Sequence, residues 1–166
     1  SMTASARSRI GAGGPPMTWG EFTDQTGYVL RLPDRPRRIV SLVPSQTELL
    51  FDLGLEREVA GVTRYCVAPA AKVAACAKVG GTKRFDFAAI DALEPDLIIG
   101  AKEENYVEGI ERLRRRYPVW LSDVATLDDT LAMIRAVGRL TGRATPAVEM
   151  AGRIAANFRD AVGDPR

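Results

Sequence analysis

The chain has 166 residues, 46% of them hydrophobic and 27% charged, with a formal net charge of +2. That length and balance suit one globular domain with a core of its own. They exclude a helical membrane span, since no apolar run nears the roughly 18 residues one requires. They also exclude a nucleic-acid-binding charge excess, since the only dense basic cluster, Arg112 with Arg114, Arg115 and Arg116, has acids beside it.

Residues 1–16, SMTASARSRIGAGGPP, are small, polar and rich in glycine and proline, and read as disordered. They lack the apolar centre of a secretory signal. Ser1-Met2 reads as a remnant of expression and Met17 as an alternative start, and both points stay open. The segment 1–19 is therefore set apart from a lobe over 20–145. In that lobe, Phe22-Thr23 and Tyr28 to Leu32 predict a hairpin around a turn at Asp24 to Gly27. The run Arg38 to Val43 predicts a strand covered on both faces. Ser45 and Glu48 have the spacing of a capping box, with the helix running over Thr47 to Leu53 and stopping at Gly54.

Val59 to Thr63 is a second strand, and Arg64 to Pro69 a loop. Residues 70–79 are alanine-rich and read as a helical turn, followed by a break at Gly80-Gly81-Thr82. Asp86 caps a short helix to Leu93, closed by Glu94-Pro95. Asp96 to Ala101 and Pro118 to Asp123 are further strands, with an amphipathic helix over Asn105 to Arg116 between them. Thr126 and Asp129 open a helix whose apolar positions Leu127, Leu131, Ile134, Val137 and Leu140 recur at helical spacing, ending at Gly142. Pro146 starts a last helix to about Val162, within a segment 146–166. Alternating strands and helices predict an α/β fold: a three-layer, doubly wound parallel sheet with a leading β-hairpin and a long C-terminal helix.

In such a sheet ligands sit beyond the carboxyl ends of the strands. The pattern places Ser45 to Glu48, Arg64-Tyr65-Cys66, Lys102-Glu103-Glu104-Asn105 and Asp123 on that rim. Catalytic alternatives are poorly supplied. There is no histidine, so zinc sites and histidine-based triads lack their usual parts. Cys66 beside Arg64 has no base to activate it and reads as a structural thiol. Cys66 and Cys76 either pair in an oxidising compartment or stay free, and chain size favours free thiols. Glu103-Glu104 reads as helix-start acids complementing a dipole. VGGTKRFD lacks the first glycine of a phosphate loop, and GAGGPP follows no strand. Ser45 reads as a cap and Trp120 as core. Tyr65 has two equal readings, a stacking platform for a flat ligand or core packing.

The segments RPRRIVSLVPSQTELLFDLGL, VAGVTRYCVAP, KVGGTKRFDFAAIDALEPDLIIGAKEEN and YPVWLSD follow one another as in a known family. Over about residues 20–162 the chain resembles the periplasmic solute-binding proteins for vitamin B12 and ferric siderophores. The most specific pieces are AIDALEPDLII and VSLVPSQTELLFDLG. The resemblance implies a non-enzyme that binds a cobalamin-like or iron-chelate ligand between two lobes and delivers it to an ABC importer. It implies a periplasmic location and a binding set of Ser45, Gln46, Thr47, Arg64, Tyr65, Thr82, Lys102, Glu103 and Asn105, with Tyr65 as the jaw aromatic. By the same resemblance the chain reads as the N-terminal lobe plus the linker helix.

Three positions depart from the pattern. Ala88 and Ala89 stand where the family often carries a permease-docking Glu, with Asp86 and Asp91 nearby but not equivalent. Ala68 stands where relatives tend to have His, which weakens a metal-liganding role for that loop. The last helix has an apolar side of Val148, Met150, Ile154, Ala155, Phe158 and Val162, which would fold back on its own lobe or drive a homodimer. The alternative to a ligand-binding lobe is thus a single-lobe interaction protein that dimerises through this helix and binds no small molecule.

Overall fold

A computed structural model describes residues 19–64, 66 and 69–163. Expectations for residues 1–18, Tyr65 and Ala68 lie outside the described residues. Strand β1 (Gly20–Thr23) pairs antiparallel with β2 (Val29–Leu32) to form the leading hairpin. The main sheet contains β3 (Ile39–Ser41), β4 (Val59–Val62), β5 (Ala77–Lys78), β8 (Leu97–Ala101) and β9 (Val119–Ser122). Its order is β5-β4-β3-β8-β9, with every neighbouring pair parallel. Between β5 and β8 lies a small antiparallel pair, β6 (Gly80–Gly81) and β7 (Arg84–Phe85). The expected glycine break is therefore a tight hairpin, and the end of the alanine-rich run adds an edge strand.

Strand side chains alternate between two cores, as a period of two requires. Ile39, Leu97, Ile99 and Trp120 join one cluster, while Val40, Ile98, Val119 and Leu121 join the other. The first is covered by α1 (Pro44–Asp52), α2 (Ala70–Ala74), α5 (Leu127–Thr141) and α6 (Ala144–Val162). The second is covered by α3 (Phe87–Leu93) and α4 (Val107–Arg114). Burial on both faces explains why the strands read as continuous apolar runs.

Local signals account for several boundaries. Asp86 caps α3 by accepting from the Ala89 N–H at 3.0 Å. Thr126 and Asp129 form a reciprocal capping box at α5. Gly142 ends α5 at φ 79°, a left-handed conformation that glycine adopts without strain.

The expected Ser45–Glu48 capping box is absent. Helix α1 begins earlier, with Val43 as its N-cap and no side-chain cap bond. Pro44 explains the shift, because its fixed φ suits the first helical position and its missing N–H is no loss there. Helix α6 likewise starts earlier, at Ala144, so Pro146 lies within its first turn rather than opening it.

The first half of α6 packs back on the first core. Ala147 and Ala151 are buried, and Met150, Ile154 and Ala155 are partly covered by the core. The approach is close enough that a Cβ on Gly138 would run into the Ala147 methyl group. Of the six residues expected to form its apolar side, Val148, Phe158 and Val162 stay exposed, at 56%, 48% and 65%.

Candidate ligand-binding rim

The chain leaves β3 toward one face of the sheet, into α1, and leaves β8 toward the other, into α4. These neighbouring strands diverge at their carboxyl ends, which makes the β3/β8 boundary the switch point where open α/β sheets place their ligand crevices. One side chain spans that point. Asn105, 8% exposed, accepts from the Ala101 N–H at 2.9 Å through Oδ1. Through Nδ2 it donates to the carbonyls of Leu42 at 3.3 Å and Thr82 at 2.9 Å. Three exits, those of β3, β8 and the β6–β7 turn, are thereby tied together. A Cβ on Gly100 would occupy the place of Asn105 Oδ1, so this bridge needs the glycine beneath it.

Lys83 reinforces the bridge by donating to the Glu104 carbonyl at 2.9 Å. Lys102 lies 3.4 Å from Asp123, and its backbone N–H donates to the Ser122 carbonyl at 2.8 Å. Both partners of the Lys102–Asp123 pair are well exposed, so the pair adds little to stability. Ser122 Oγ approaches a Glu103 carboxylate oxygen at 3.5 Å.

The expected binding residues separate into two groups. Ser45, Arg64, Lys102 and Glu103 are exposed and Thr82 is half-buried, all near the strand exits. Gln46, Thr47 and Asn105 are buried and held from within. Thr47 bonds to Ser41 and Val43. Gln46 donates to Met133 Sδ at 3.3 Å, while its carbonyl oxygen has no partner. Tyr65 lies outside the described residues.

Two features go further than the sequence expectations, which made Asp24 a turn residue and Cys66 a structural thiol on the rim. The Asp24 carboxylate is fully buried, and its Oδ1 accepts from Thr26 N, Thr26 Oγ and Tyr28 N. Its Oδ2 accepts from Leu121 N at 3.0 Å and Arg114 Nη2 at 2.8 Å. Gln25 continues this pairing by donating its N–H to the Leu121 carbonyl at 3.1 Å and accepting from Asp123 N at 2.9 Å. The hairpin turn thus lies along the free edge of β9 as a substitute strand, one way proteins blunt an edge. The Asp-x-Thr spacing of an Asx turn is the local trace of this device. The second feature is the placement of Cys66, 2% exposed beneath the rim rather than on it.

Residues 39–164 match the periplasmic binding protein family. The chain belongs to that family. It is 28% identical over 130 residues to the vitamin B12-binding protein of Pectobacterium atrosepticum, a match covering 78% of this chain and 45% of that protein. Among solved structures it resembles the periplasmic heme-binding protein of Roseiflexus sp. RS-1, with a TM-score of 0.68 at 27% identity, covering 74% of this chain and 47% of that one. It also resembles the periplasmic vitamin B12-binding protein of Vibrio cholerae, with a TM-score of 0.62 at 26% identity, covering 77% and 49%. The chain therefore spans about half the length of these relatives. Among its described residues, no helix is long and apolar enough to cross a membrane.

Proposed function

We propose that this lobe forms one jaw of a solute receptor that serves an ABC importer from the periplasm. Its ligand is a cobalamin-like molecule or an iron chelate. The contacts come from Ser45, Arg64, Tyr65, Thr82, Lys102 and Glu103, while Gln46, Thr47 and Asn105 hold the jaw in shape. The observation that carries this reading is the switch-point rim, stapled from inside by Asn105 and lined outside by exposed polar side chains. Membership of the binding-protein family and the similarity to a vitamin B12-binding protein support it. The jaw does no chemistry: the chain has no histidine to act as a base, and Cys66 is enclosed. A permease is the proposed protein partner, although the exposed Ala88 offers it no carboxylate.

Calorimetric titration with cyanocobalamin, hemin and a ferric hydroxamate tests the reading, using the parent chain, Tyr65→Ala and Lys102→Ala. At least one ligand should bind, and each substitution should raise its Kd about tenfold, equivalent to about 1.4 kcal/mol. Absence of heat with all three ligands, in a sample shown to be folded, would overturn it. If that sample also grew in size with concentration, the dimer built on Phe158 and Val162 would take its place.

A further inference from the structure

Beneath the rim, four polar side chains meet out of reach of water. Ser41, Thr47 and Thr63 are 0% exposed and Cys66 is 2% exposed. Thr63 Oγ lies 3.2 Å from Cys66 Sγ, and Thr47 Oγ lies 3.1 Å from the same sulfur. Thr47 Oγ is 2.7 Å from Ser41 Oγ, and Ser41 Oγ is 3.1 Å from the Val43 carbonyl. Each of these groups carries a single proton. One assignment runs through them all: Thr63 donates to Cys66, Cys66 to Thr47, Thr47 to Ser41, and Ser41 to the Val43 carbonyl. The row joins three parts of the fold: the end of β3, the first turns of α1 and the exit of β4.

Cys66 is the only link in this row between the β4 exit and α1. The exit is held twice more by the backbone, with Arg64 N donating to the Gly80 carbonyl at 2.9 Å and Cys66 N to the Thr63 carbonyl at 3.1 Å. None of these contacts draws on thiol reactivity. The sulfur serves through its size and its ability to donate and accept at once. Serine would keep both abilities on a shorter bond, whereas alanine would remove them and leave the buried Thr63 and Thr47 hydroxyls without that partner.

We propose that Cys66 is a positioning residue for the binding rim. Its thiol fixes the β4 exit against α1 and so sets where Arg64 is presented. The link to ligand binding rests on the function proposed above; the link to loop position does not.

Amide hydrogen exchange and calorimetry on the parent, Cys66→Ala and Cys66→Ser test the two links separately. Cys66→Ala should speed exchange at the Arg64 N–H about tenfold relative to the amides of β8, with Cys66→Ser in between. If cyanocobalamin binds the parent, Cys66→Ala should raise its Kd at least about fivefold, and Cys66→Ser should recover most of that loss. A thiol that merely fills the core would speed exchange at Arg64 and β8 in equal proportion and leave Kd unchanged, and that result overturns the proposal. If the parent binds none of the three ligands, the receptor reading fails while the exchange ratio still decides the positioning role.

Discussion

Asp24 and Asn105 are both buried polar side chains that bridge distant parts of the chain, but they do it with different chemistry. Asp24 brings a charge to the sheet edge, where it meets the Arg114 guanidinium and three N–H or O–H donors of its own turn, as well as Leu121 N. Arg114 in turn stacks on the Tyr28 ring at 3.6 Å from its centroid. Asn105 stands at the switch point with backbone partners alone. The crevice is thus bridged by a neutral amide, and the fixed charges around it stay on the exposed rim. The closed edge holds a desolvated charge with its counter-ion, an arrangement that is costly to disturb.

The largest effect is expected at the edge. Asp24→Ala leaves Arg114 and the Leu121 N–H without their partner and should cost about 3–5 kcal/mol in urea unfolding. A loss below about 1 kcal/mol would mean that water replaces the carboxylate freely and that the edge is less closed than its geometry shows. Asn105→Ala removes three hydrogen bonds and should cost about 2–4 kcal/mol, less than Asp24→Ala because no charge is orphaned. The reverse ranking would break the comparison.

The smallest effect is expected at Asp129, a carboxylate on the exposed start of α5. Its backbone partners, the N–H groups of Ala125 and then Thr126, hold its pKa below the ordinary carboxylate value. A pKa lowered by folding stabilises the folded state above the unfolded value, and that contribution fades as pH falls through the folded value. Asp129→Ala should therefore lower Tm at pH 7, and its gap from the parent should narrow as the pH drops below about 4. A gap independent of pH would mean that the carboxylate's charge adds nothing to the cap, since the bond from the residue-129 N–H to the Thr126 hydroxyl is kept in both proteins.

Features set by neighbours in sequence were readable. The Asp86 cap, the Thr126–Asp129 box, the Gly142 stop and the strand–helix alternation all rest on residues within a turn of one another. Ser45 misled because its spacing to Glu48 satisfies a cap, whereas Pro44 had already committed the backbone to helix. Asn105 was placed at the right exit but read as a ligand contact, since its partner Leu42 lies 63 positions away. Asp24 read as a mere turn residue for the same reason, with Leu121 97 positions distant. Cys66 was weighed as a nucleophile or a core thiol, and nothing near it in sequence announces Thr47. Exposure was legible at Ser45, Arg64, Lys102 and Glu103 but not at Gln46, Thr47 and Asn105, which turn inward to bonds that no local pattern announces.

The cover on β9 also bears on how the chain is made. The hairpin that supplies Asp24 and Gln25 leaves the ribosome long before the strand it covers, so the cover is waiting when the edge is completed. A chain without it would finish its sheet with Leu121 offering an unpaired N–H and carbonyl to any other extended chain. Loss of the hairpin should then show first as aggregation during synthesis, before any defect in the proposed ligand capture is felt.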